Sequence, residues 1–304
     1  MRGKSSPTPS PRLSLVLGSG GARGYAHIGV IEELEARGYE IVCISGASMG
    51  ALIGGLHACG KLRDYKEWVL GLDALDVAAL LDFSWDQRGV VRGEKVMKKL
   101  RELIGKTRIE ELPIDYTAVA TDLNRNREVW FREGDLLDAI RASISIPTFF
   151  TPVERDGMLL VDGGVLNPLP VAPTMSSRSD LTLAVSLFGE AEAPALKPPK
   201  KVQQRESRLQ EIADEIFDRA RQWFDNDEDK EIHLFDIIER TIDSMQKTLL
   251  GYRLGGYPPD GIIEIPESVC SALDFHRAWE VIETGRLLAR EFLDRREQKE
   301  FKGP

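Results

Sequence analysis

The sequence predicts an α/β fold: a three-layer α/β/α sandwich with a mainly parallel central sheet. Two observations carry this. Short apolar runs that read as buried strands alternate with segments of helical periodicity. The first two of those runs each stop at a glycine-bearing turn that opens a helix, as parallel strands joined by crossover helices do. The 304 residues, 42% of them hydrophobic, are ample for one sizeable core.

Leu13–Leu17 is the first buried strand and ends at Gly18-Ser19-Gly20-Gly21. Ala26–Arg37 follows with Ile28, Ile31 and Leu34 at helical spacing and Gly38 as its stop. Ile41–Ser45 is a second buried strand, and Met49–Cys59 a helix of small residues closed by Gly60. Leu62 to Lys106 reads as helices with a break near Asp86–Val90. Tyr116–Thr121 and Glu128–Phe131 flank a turn at Asn124–Arg127, which suggests a hairpin. Leu136–Ala142 is helical, Met158–Val161 is a short strand ending at Asp162-Gly163-Gly164, and Leu181–Leu187 is another buried strand.

Composition then shifts to a Pro/Lys linker at Ala191–Lys201. Leu209, Ile212, Ile216, Ala220 and Trp223 form an amphipathic stripe, and Asp225–Glu231 is an acidic break. A second stripe runs through Phe235, Ile238, Ile242, Met245 and Leu249. Gly261–Ile265 is placed to return to the sheet, and Phe275–Phe292 is a final helix. The expected organisation is a disordered leader over 1–12, a catalytic core over 13–190, a linker and helical insertion over 191–231, and a completing segment over 232–304.

Net charge is −9, which disfavours nucleic acid, because phosphate contacts need clustered Lys and Arg. Three dispersed cysteines, Cys43, Cys59 and Cys270, argue against a disulfide framework. With no CxxC or HExxH pattern and four scattered histidines, no metal site is expected. The basic, Ser/Pro-rich N-terminus has no apolar segment of a secretory signal, and no stretch reaches ~18 uninterrupted apolar residues. A cytoplasmic protein is expected.

Gly46-Ala47-Ser48-Met49-Gly50 matches G-x-S-x-G between a strand and a helix. A nucleophilic serine on that sharp turn needs small neighbours at Gly46 and Gly50, and the helix N-terminus favours negative charge beside it. The bland alternative is a tight turn with a buried serine. Gly18–Gly24 also joins a strand to a helix, but Arg23 stands at the third glycine position of a dinucleotide loop and no Lys-Ser/Thr pair completes a P-loop. An oxyanion hole from the amides near Gly20 and Gly21, with Arg23 oriented by the turn, fits better than either. A glycine turn that only permits close packing is the competing reading. Asp162, with Gly163 and Gly164, taken alone reads as an ordinary Asp-Gly turn. A triad would need a histidine: His27 and His57 sit within helices, and His276 has the chain order Ser…Asp…His but also reads as helical.

GSGGARG, the helix AHIGVIEELEARG, the elbow GASMG, RASISIPTFFTPV and the strand end DGG occur in that order. Together they resemble the bacterial branch of the patatin-like phospholipases from about Leu13 to Val171, with weaker likeness in DIIERTIDSMQ, PDGIIEIP and DFHRAWEVIETG. The resemblance implies a Ser–Asp dyad of Ser48 and Asp162, an oxyanion hole at Gly20, Gly21 and Arg23, fatty-acyl esters of phospholipid or lysophospholipid as substrate, and no cofactor. Ser19 departs from the family, where glycine is frequent. Two alternatives stand beside this: an α/β-hydrolase esterase using His276, and a non-catalytic lipid-binding protein. The stripe ending at Trp223 either packs on the domain or serves as a lid or membrane-surface helix.

Overall fold

The structure, a computed structural model, describes residues 10–81, 93–147, 149–199 and 234–302. Most of the expected leader, the break at Asp86–Val90, the stripe ending at Trp223 and the acidic run Asp225–Glu231 lie outside the described residues.

Eight strands form one sheet: β1 Arg12–Leu17, β2 Glu40–Ala47, β3 Asp115–Asp122, β4 Arg127–Phe131, β5 Val153–Arg155, β6 Met158–Asp162, β7 Leu181–Gly189 and β8 Gly261–Pro266. The neighbours β3-β2-β1-β7-β8 all run parallel. β1 stands in the middle and is buried from Leu13 to Leu17, which explains its unbroken apolar run. β4 pairs antiparallel with β3 as the predicted hairpin, and β6 pairs antiparallel with both β3 and β5. The three-residue β5, with Glu154 and Arg155 exposed, carries no strand signal in the sequence.

The helices are α1 Ala26–Ala36, α2 Met49–Ala58, α3 Leu62–Val69, α4 Ala74–Leu81, α5 Glu94–Ile104, α6 Leu136–Ser143, α7 Leu234–Gly256 and α8 Ala278–Lys302. Strand alternation separates two cores. Leu13, Leu15, Leu17, Leu183 and Val185 pack with Ile28, Ile31 and Leu34 of α1, Ile53 and Leu56 of α2, Ile140 of α6, and Val281 and Ile282 of α8. Val16 and Ala184 point the other way, onto Leu169, Val171 and Leu250 and Leu254 of α7. One face therefore has a thick helical layer, and the other is covered by α7 and the segment around Leu169.

α1 and α8 touch backbone to backbone. A Cβ on Gly29 would lie 1.9 Å from the Ile282 carbonyl oxygen, and one on Gly285 would lie 2.1 Å from that of Ala26. α8 runs ten residues beyond the expected end at Phe292. Its last turns are held because Asp294 and Glu297 pair with Arg37, at 2.5 and 2.9 Å.

Within the second stripe Ile242 and Leu249 are partly buried, but Met245 is 56% exposed, whereas the neighbouring Gln246 is buried. α7 docks through polar groups as well as apolar ones: Asp243 pairs with Arg23, Lys247 with Glu267, and Arg253 with Glu128. An apolar-periodicity reading does not see these polar contacts. Among the described residues no helix is long and apolar enough to cross a membrane.

Candidate active site

Ser48 sits between β2 and α2 with φ 54° and ψ −126°, and its residue is 1% exposed. A non-glycine residue with positive φ is strained and persists where its surroundings enforce it. The two glycines of the motif make the turn possible by close approach. A Cβ on Gly46 would lie 2.4 Å from the Gly50 backbone, and one on Gly50 would lie 2.0 Å from the Leu17 carbonyl oxygen. The elbow is thereby pressed against the central strand.

Sheet register brings Asp162 to Ser48. Ala118 and Val119 of β3 pair with both β2 and β4, whereas Ala120 to Asp122 pair with both β4 and β6. A strand has two sides, so β2 and β6 share one of them, and β6 occupies the place that β2 vacates. Ala47 is the last partner from β2, opposite Val119, and Asp162 stands opposite the next residue, Ala120. Gly163 lets the chain turn there, since a Cβ on it would lie 2.0 Å from the Val119 carbonyl oxygen.

The Asp162 carboxylate is buried. Oδ1 accepts the Gly164 amide at 2.7 Å. Oδ2 has no hydrogen-bond partner of full geometry. The Ser48 hydroxyl is nonetheless near enough to favour the ionised carboxylate, and with the Gly164 amide it opposes the larger effect of burial, which raises the carboxyl to about 7. A buried carboxylate with a serine hydroxyl close by and a pKa near neutrality is suited to accept that proton.

The Gly18–Gly24 turn lies at the adjacent end of β1. Gly18 N donates to Val185 O, Ser19 N to Pro168 O, and Ala22 N to Ala272 O. The amides of Gly20 and Gly21 donate to no acceptor among the described residues. Gly21 has φ +58°, and a Cβ there would lie 2.4 Å from the Ala272 carbonyl oxygen. Arg23, predicted beside the oxyanion hole, is buried and turned to the protein. Its Nε donates to the Gly20 carbonyl at 3.2 Å, and Nη2 pairs with Asp243 at 3.2 Å. Its guanidinium also lies 5.6 Å from the Phe188 ring centre. The side chain clamps the turn. Gly164 is crowded by the same region, since a Cβ there would meet Ser19 Oγ at 2.5 Å and Gln246 Nε2 at 2.8 Å.

No histidine hydrogen-bonds Ser48 or Asp162 among the described residues. His27 Nε2 bonds Gly18 O at 2.9 Å, and burial lowers the ring to about 4, so it is neutral beneath the turn. His57 is likewise lowered to about 4 by burial. His276 lies in a short 3-10 turn, Phe275–Arg277, ahead of α8. His233 lies outside the described residues.

Residue-by-residue reading missed three contributors. Ser143 Oγ accepts the Ser48 amide at 3.0 Å, although RASISIP is noticed in the sequence only as part of a resemblance. Asp243 and Gln246 reach the site region from α7, where they are two of many polar residues and carry no distinguishing signal in the sequence.

Comparison with known proteins places the chain in a family. The signature of the patatin-like phospholipases matches residues 15–175. An uncharacterized NTE family protein of Mycobacterium tuberculosis (strain ATCC 25618 / H37Rv) is 42% identical over 331 residues, covering 94% of this chain and 92% of its own. Lysophospholipase NTE1 of Candida glabrata is 30% identical over 183 residues, which are 58% of this chain and 10% of that protein. The solved structure of VipD from Legionella pneumophila covers 94% of this chain and 67% of its own, at 15% identity and a TM-score of 0.47. With the matched signature spanning Ser48, Asp162 and the glycine turn, this chain belongs to the patatin-like phospholipase family.

Proposed function

We propose that this protein hydrolyses fatty-acyl esters of phospholipid or lysophospholipid through a Ser48–Asp162 dyad and a covalent acyl-enzyme. The observation that carries the reading is the buried Asp162 carboxylate, whose Oδ2 has no hydrogen-bond partner and whose ionised form the Ser48 hydroxyl favours. The lipid class is drawn from the family and from the relative named as a lysophospholipase. The substrate is presented at a membrane surface, from the cytoplasmic side.

Asp162 takes the Ser48 proton as Oγ attacks the ester carbonyl carbon. The negative oxygen of the tetrahedral intermediate sits against the uncommitted amides of Gly20 and Gly21, donors positioned before charge develops. Collapse breaks the ester C–O bond, and the leaving alcohol takes the proton from Asp162. Water then loses a proton to Asp162 and attacks the acyl carbon. The second collapse frees the fatty acid, and Ser48 Oγ recovers the proton. Arg23 and His27 act through the turn, holding the carbonyls of Gly20 and Gly18.

A panel of lysophospholipids, phospholipids and p-nitrophenyl esters, run beside Ser48→Ala and a fluorophosphonate probe, tests this. Turnover of fatty-acyl esters and labelling at Ser48, both lost in Ser48→Ala, are expected. A protein that is folded yet unlabelled and inactive on every ester would refute the reading.

A further inference from the structure

The RASISIP segment at the end of α6 holds no reacting group, yet it touches both reacting residues. Ser143 is fully buried, and its Oγ accepts the Ser48 amide at 3.0 Å while donating to the Val119 carbonyl at 2.6 Å. Two residues on, the Ser145 carbonyl accepts the Asp162 amide at 2.9 Å. The segment is braced internally. Ser145 Oγ donates to the Arg141 carbonyl at 2.7 Å, and Arg141 Nη2 donates to Thr151 O and Oγ1 at 2.9 and 3.0 Å.

The Ser48 amide stands at the start of α2 and has no acceptor within that helix. Ordinarily the side chain of the third helical residue or water satisfies such a group. Here the acceptor comes from another helix and is itself anchored to Val119, the residue beside which β2 gives way to β6. We propose that Ser143 is a positioning residue for acyl transfer: its hydroxyl and the Ser145 carbonyl form a bracket that sets the separation between Ser48 and Asp162. The proposal rests on the reading of those two residues as nucleophile and base.

Without the Ser143 hydroxyl, the Ser48 amide is left unpaired in a buried site, and the strained elbow loses a constraint. The nucleophile then moves away from Asp162. A displacement of about 1 Å costs on the order of 10²-fold in rate. The Ser48 hydroxyl also helps ionise Asp162, so its withdrawal raises the pH at which the base becomes active.

The experiment compares kcat, KM and the pH profile of wild type, Ser143→Ala and Ser143→Cys on a short p-nitrophenyl ester, with Ser48→Ala as reference. The cysteine variant fills the same space with a weak acceptor and serves if the alanine variant does not fold. The expected result is a loss of about 10- to 100-fold in kcat with KM nearly unchanged, and an acid midpoint moved to higher pH. Wild-type kcat in a folded variant, or a loss in kcat with an unmoved midpoint, would overturn the bracket. An active Ser48→Ala would instead overturn the function on which it rests, so the two failures are distinct.

Discussion

Asp162 stands opposite Ala120 on β3, one residue past the point at which β2 stops pairing. The proposed base thus continues the line of the strand that delivers the proposed nucleophile. An antiparallel strand placed end to end with a parallel one brings together two loops separated by over a hundred residues, without a long connecting arm. The burial that results is what sets the chemistry, because it raises Asp162 to about 7.

Activity should therefore follow one acid limb. Below about pH 7, kcat/KM should fall about tenfold per pH unit as Asp162 takes up a proton, and above it a plateau should appear. A pH–rate profile on a substrate that does not itself titrate checks this. A limb centred near pH 4, the ordinary carboxyl range, would show that the site is more polar than the structure indicates.

The same group makes stability depend on pH. The folded value of about 7 lies above the ordinary 3.8. Between those values the native state holds a proton that the unfolded chain releases, so this site lowers stability as pH rises from about 4 to about 7. Asp162→Asn keeps an oxygen for the Gly164 amide and removes the buried charge. Its Tm should exceed that of wild type by several degrees at pH 8, reflecting on the order of a few kcal/mol. The gain should vanish near pH 4. Melting curves at both pH values decide it, and a lower Tm at pH 8 would contradict the assigned burial effect.

Arg23→Lys should lower kcat by about tenfold with little change in KM. Lysine keeps the charge toward Asp243 but loses the planar fork that also reaches the Gly20 carbonyl. The turn then holds its amides less firmly, which matters when the oxyanion forms. A selective rise in KM would place Arg23 in ground-state substrate binding.

Gly21→Ala should damage both stability and turnover. Its φ of +58° and a Cβ only 2.4 Å from the Ala272 carbonyl oxygen mean that the turn must shift. Calorimetry should show a Tm loss of several degrees, and kcat should fall by at least ~10². Wild-type melting and turnover would show that the turn is not packed as described.

Much of this was legible in the sequence, and the remainder was hidden for identifiable reasons. The parallel centre reads directly, since strands buried on both faces, such as Leu13–Leu17, are apolar throughout. The elbow reads from Gly46, Ser48 and Gly50, because only small residues fit between β1 and α2. The pairing of Ser48 with Asp162 does not follow from either local pattern. It depends on β6 replacing β2 along β3, a matter of register that no local spacing encodes. The polar docking of α7 was hidden because Asp243 and Arg253 dock by charge, and Gln246 is buried, to all of which apolar periodicity is blind. Ser143 gave no chemical signal of its own, since a serine in a helix is ordinary until its partner is known.

The central claim is that Asp162 alone serves Ser48 as base, with no histidine between them. Single-turnover acylation of Asp162→Asn at pH 8 with a p-nitrophenyl ester tests it most directly, because the substitution keeps the shape and removes the only proposed proton acceptor. The account predicts acylation at least ~10²-fold slower than wild type in a protein that melts no lower. Acylation within a few-fold of wild type, in that same folded protein, would contradict it and return the search to the histidines.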